Sequence, residues 1–324
     1  MGKQRIIWID YAKAVAIFLV VLGHSFKPLG GADLEVKNFI YSFHMPVFFF
    51  LSGYLYKKSD VDFVVDLKKN VRSLVLPYVL LNLLAAIIVL PVLLITKNYE
   101  NIVDSTTDMI IGAGHSFAGP AWFLLCLFWT KIIAFFAFRS KCPFLFVIFS
   151  ITAAYIIGHF VWFDIASAFA AFPFFYAGYL MKTKSRMDLI SRKKWCVILS
   201  ISLPLLFLLN HINGSVAIYS LTFGNLPWLY YIETTIGITF FISLMNLIAT
   251  RENGIMNTLS RESIMIMALH GAVGLYISII ISKVLSLPNT SILYGLIISG
   301  IVVAILYYPS LRIQNKWPAL TGGR

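Results

Sequence analysis

A chain of 324 residues that is 59% hydrophobic, only 12% charged and of mean hydropathy +0.84 carries more apolar surface than a soluble fold can hide, since soluble domains carry about 25% charged residues. That excludes a water-soluble globular enzyme and makes lipid the solvent for most of the chain. A net charge of +12 would suggest nucleic acid in a soluble protein, but Lys and Arg collect in the cytoplasmic loops of membrane proteins, so the charge reports topology and no nucleic-acid partner is expected.

A membrane-spanning helix needs about 20 mostly apolar residues. Ten segments qualify: 6–26, 38–56, 74–95, 120–138, 143–160, 165–181, 195–209, 226–249, 263–282 and 292–309. The expected fold class is therefore all-α, a polytopic transmembrane helix bundle forming a single integral membrane domain over 1–324. With the N-terminus inside, 20 of the 26 Lys and Arg fall on the inner side and 4 on the outer. This asymmetry predicts that both termini are cytoplasmic. The short basic stretch before the first span is followed by no small-residue cleavage site, so that span is expected to be retained.

The first span is the richest in polar groups. Lys13 and His24 are 11 residues apart, about 1100° of helical rotation, within roughly 20° of three turns, and about 16 Å along the axis. Asp10 precedes Lys13 by one turn on the same face. Charged and titratable groups inside a bilayer are costly and tend to be functional. An ion pair that merely fixes helix packing is the plainer alternative.

The second span brings His44 to a similar depth, with Pro46 just after it. Proline inside a span favours an irregular, cavity-lining segment, and imidazole titrates where proton transfer is useful. The segment 57–72, KKSDVDFVVDLKKNVR, is basic with a rough helical period of apolar residues. It reads as a helix on the inner leaflet, as a positive-inside loop touching anionic lipid, or as a phosphate-binding element with Lys68, Lys69 and Arg72 as its cations.

Segment 96–119 is the longest outer loop and holds Glu100, Asp104, Asp108 and His115. Lys131, near the inner end of the fourth span, is expected to snorkel. Glu233 in the eighth span and His270 in the ninth are either proton-handling groups or buried polar partners. Cys126, Cys142 and Cys196 are scattered without metal-ligand spacing, so no metal is expected. Neither a nucleophile elbow nor a phosphate loop is present, which leaves direct transfer between two substrates.

These residues resemble the membrane acyltransferase 3 family, and within it the fucose 4-O-acetylase-like group. IDYAKAVAIFLVVLGHSF is similar to the family's opening pattern of a basic residue, ten residues, then His, here Lys13 and His24; many members carry Arg in the basic place. FHMPVFFFLSGYLYKK resembles the next block at His44, Pro46, Ser52 and Gly53, and RSLVLPY the third, with Arg72. Weaker echoes follow in PAWFLLCLF around Trp122, in FPFFYAGYLMK around Gly178 and in the stretch ending at His270.

The resemblance implies a ten-helix O-acyltransferase. It would take an acetyl group from acetyl-CoA on the cytoplasmic side and deliver it to a sugar hydroxyl of a cell-surface glycan or glycolipid. With the polar groups read above, the expected sets are His24, Lys13, His44 and Asp10 for catalysis, Arg72, Lys68 and Lys69 at the CoA phosphates, and Glu233, His270 and Trp122 at the acceptor. Membrane lipid is the remaining partner, and the sequence sets no oligomeric state. A transporter or flippase of a lipid-linked sugar or small acid is the competing class, and a non-catalytic partner subunit the third.

Overall fold

The computed structural model describes residues 6–58, 60–158, 162–184, 187, 190–285 and 289–321. The basic residues Lys3, Arg5, Arg186 and Arg324 and the end of the fifth span at Phe160 lie outside the described residues, as does the side chain of Lys283. The chain is an all-α bundle: α1 (Ile7–Ser25), α2 (Gly31–Tyr41), α3 (His44–Tyr54), α4 (Phe63–Asn70), α5 (Leu76–Ile95), α6 (Tyr99–Ile111), α7 (Trp122–Ala137), α8 (Pro143–Ile157), α9 (Ile165–Lys184), α10 (Arg192–Asn213), α11 (Leu229–Ile248), α12 (Gly254–Leu285) and α13 (Ile292–Lys316). The described sheet is a hairpin of β1 (Val216–Ala217) and β2 (Thr222–Phe223) between α10 and α11.

Among the described residues eight helical stretches are long and apolar enough to cross a membrane, and α8 is a shorter apolar helix. The remaining expected span is broken. The chain turns at Ser42 and Phe43 and restarts at His44, so α2 and α3 together fill the place of one helix. The cause is Pro46: a proline ring clashes with the carbonyl four residues earlier, here that of Ser42.

Two expected loops are helical. The basic segment is not a separate surface helix, because α4 runs through a π-helical segment, Val71–Val75, straight into α5. The long outer loop contains α6, whose N-cap Asn98 accepts from the Asn101 amide.

Packing relies on small residues, as it must where lipid supplies no hydrophobic drive between helices. A methyl at Gly53 of α3 would run into the Phe175 carbonyl of α9, and one at Gly178 of α9 into the Phe50 carbonyl of α3. The two backbones therefore touch. α1 lies against α12 and α13 and carries the central site. It runs parallel to α12, because Ser260 reaches Asp10 and His270 meets His24. It runs antiparallel to α13, where Ser299 bonds Ser25 and Gly295 packs on Phe26.

At the His24 end, connecting segments close over the bundle. Asp33 of α2 caps α13 through the Ile292 amide, Lys27 bonds the Asn289 carbonyl, and Ser215 in the hairpin segment bonds Asn38 of α2.

Candidate functional site

Three histidines from three spans converge under this roof. The ring of His24 lies 5.3 Å from that of His270, centroid to centroid, and 6.1 Å from Tyr41. Tyr41 in turn lies 4.8 Å from His44. His44 and His270 are buried, whereas His24 is exposed.

Helix geometry sets the tautomers of the two buried rings. A carbonyl only accepts, so His44 Nδ1 donates to the Ile40 carbonyl at 2.8 Å. His270 Nδ1 donates to Met267 at 2.8 Å and, more weakly, to Ile266 at 3.2 Å. In each neutral imidazole Nε2 then carries the free lone pair. His270 Nε2 is buried and has no hydrogen-bond partner among the described residues. An unmet buried acceptor calls for a functional explanation.

Tyr41 ties the cluster to α1. Its hydroxyl donates to the Gly23 carbonyl at 3.3 Å, and a Cβ at Gly23 would meet its ring at 2.8 Å, so glycine there admits the phenol beside His24. Lys37, one turn earlier on α2 and just ahead of the apolar stretch, donates to the Phe26 carbonyl at 3.2 Å and lies over the rings of Phe26 and Tyr41. Burial, and then neighbouring Lys27, push its ammonium below its ordinary range.

The other expected residues sort by place. Asp10 accepts from Ser260 at 2.7 Å near the opposite end of α1, and Lys13 is half-buried one turn further on. Lys68, Lys69 and Arg72 are exposed and lie on α4 and the π-helical turn after it. Trp122 is buried at the head of α7, 6.0 Å from Tyr219.

Glu233 has structural partners. Its carboxylate accepts from Asn210 at 3.1 Å and Asn213 at 2.7 Å, and Asn213 also holds the Phe223 carbonyl and the Leu226 amide. The acid thereby anchors the hairpin segment, and among the described contacts none joins it to the histidines.

Spacing on α1 already placed Lys13 and His24 on one face. It could not show that the ring beside His24 is His270, which depends on spans one and nine being neighbours. Tyr41 and Lys37 were missed because they precede the break in the second span. The Y-S-F-H run before Pro46 was the available signal, since the kink turns Tyr41 toward α1.

The family model described as acyltransferase domain matches residues 6–309. Neither the comparison with curated proteins nor that with solved structures gave a significant match.

Proposed function

We propose that this chain, which belongs to the acyltransferase 3 family, moves an acetyl group from cytoplasmic acetyl-CoA to a sugar hydroxyl of a cell-surface glycan or glycolipid, as the fucose 4-O-acetylase-like group does. That it is a membrane acyltransferase follows from the family and its apolar helices; donor, acceptor and a place in the bacterial cell membrane are our reading. The observation that carries it is exposed His24 beside His270 and, through Tyr41, near His44, two imidazoles whose backbone bonds fix their tautomers.

His24 acts as the base. It takes the proton of the acceptor hydroxyl as that oxygen attacks the thioester carbonyl. The tetrahedral intermediate then collapses, the C–S bond breaks, and the departing CoA thiolate takes the proton back from the imidazolium of His24. His270, whose ring lies 5.3 Å from that of His24 and whose Nε2 has no partner among the described residues, steadies the imidazolium by accepting a hydrogen bond from it in this reading. The Lys37 ammonium and the Tyr41 hydroxyl are the nearby donors able to stabilise an oxyanion. Lys13 and Asp10 set the charge along α1 toward the donor side. The exposed cluster of Lys68, Lys69 and Arg72 suits CoA phosphates, with Arg offering a bidentate fork.

Purified protein in lipid nanodiscs, given acetyl-CoA radiolabelled on the acetyl group and a panel of glycans, should transfer label to a sugar. Arg72→Ala should raise the KM for acetyl-CoA at unchanged yield of folded protein. Label reaching no sugar hydroxyl would remove the acceptor assignment, and unchanged donor kinetics would remove Arg72 from the donor site.

A further inference from the structure

The roof over the histidines contains an aromatic group that the chemistry above does not use. Tyr219, between the two strands of the hairpin, is 38% exposed. Three elements hold it in place. Trp122 of α7 lies 6.0 Å from its ring, tilted by 40°, and His115 stands perpendicular to it at 6.3 Å. Ser167 of α9 donates to its backbone carbonyl at 3.3 Å.

The local backbone is shaped for this placement. Leu221, two residues on, has φ of 51°, a conformation costly for a residue with a branched side chain. Gly114 passes so close that a Cβ there would meet the Tyr219 ring at 3.0 Å. His115 is fixed in turn by its amide, which donates to Asp108 at 3.2 Å. A ring that is oriented by three neighbours yet partly uncovered is unusual for a residue serving only as packing.

Its position matters most. The hairpin segment that carries Tyr219 is tied to α2, the helix of Tyr41, by the Ser215–Asn38 hydrogen bond at 2.8 Å, and the Tyr41 ring neighbours both His24 and His44. The hairpin is thereby held at the end of the bundle where the base lies.

We propose that Tyr219, backed by Trp122 and His115, is the stacking platform for a pyranose ring of the acceptor. The apolar C–H face of the sugar lies on the phenol ring, and a hydroxyl at the ring edge reaches past Tyr41 to His24. The tyrosine hydroxyl is incidental and the ring face is what binds. This subsite rests on the acceptor being a sugar, as proposed above.

The test measures acyl transfer to the best glycan acceptor for wild type, Tyr219→Ala, Tyr219→Phe and Tyr219→Trp, at matched yield of folded protein in nanodiscs. Tyr219→Ala should raise the acceptor KM about tenfold, with kcat little moved, as expected when an aromatic contact made equally in ground and transition states is lost. Tyr219→Phe and Tyr219→Trp should restore a KM near that of wild type. An unchanged KM in Tyr219→Ala, or a Phe variant as impaired as Ala, overturns the platform while leaving the sugar acceptor standing. If wild type acylates only a non-sugar hydroxyl, the acceptor assignment and the platform fall together.

Discussion

At the scale of single residues, the three histidines differ in what their surroundings permit. His44 has one ring nitrogen tied to Ile40 of α2 and His270 one tied to its own helix, whereas among the described residues His24 makes no protein hydrogen bond and is exposed. Only His24 is free to exchange a proton with a substrate that comes and goes. His24→Ala should therefore lower kcat by about 10²–10⁴-fold at normal folded yield, and size-exclusion profiles alongside label transfer will check it. Near-normal specific activity would move the base to His44 or His270. Lys13 makes a graded prediction on the same helix face. Lys13→Ala should cripple transfer and Lys13→Arg should retain much of it, because a cation is kept. If Arg fails as badly as Ala, the amine itself matters and charge alone does not explain the position.

At the scale of elements, the glycine contact between α3 and α9 holds the broken second span in place. Gly178→Ala should force the two backbones apart at a cost of about 1–3 kcal/mol or more, seen as a lower melting temperature in detergent and a lower yield. Gly300→Ala in α13, where a methyl meets nothing within 4 Å, should be neutral or slightly stabilising through helix propensity. Equal melting temperatures for the two variants would remove the close crossing. The expected ten spans all coincide with helical segments, because apolar runs of this length have no other use in lipid. What composition does not reveal is a helix whose apolar residues remain uncovered, such as α6 with Tyr99, Val103 and Ile110 exposed, or a break displaced from its cause, such as the one at Ser42 set by Pro46. The site is legible in part for the same reason. Lys13 and His24 share one helix, so spacing alone relates them. The His24–His270 contact and the Tyr219 platform join distant segments, and two-residue strands leave no periodic signal.

At the scale of the whole molecule, the order of contacts along α1 fixes relative directions. α1 enters the bundle at the Asp10–Ser260 end and leaves it at the His24–His270 end, and α12 runs the same way. α13 starts beside Phe26 and Ser25 and returns over 25 residues, about 37 Å and enough to cross a bilayer. The beginning of α1 and the end of α13 therefore lie at one face of the bundle, and the roof with its histidines lies toward the other. Which face is cytoplasmic is an expectation drawn from charge. The 20-to-4 excess of Lys and Arg belongs to the face of the termini, and loops rich in these residues stay on the cytoplasmic side. Reporter fusions active on only one side of the membrane should place the C-terminus inside and Gly114, in the segment leading to the roof, outside. In the proposed function this orientation would set Arg72 and Lys68–Lys69 on the side of cytoplasmic CoA and Tyr219 on the side of the acceptor, with His24 between them. A cytoplasmic Gly114 would invert this layout and place the acceptor platform on the donor's side, and an external C-terminus would break the even count of crossings on which it stands.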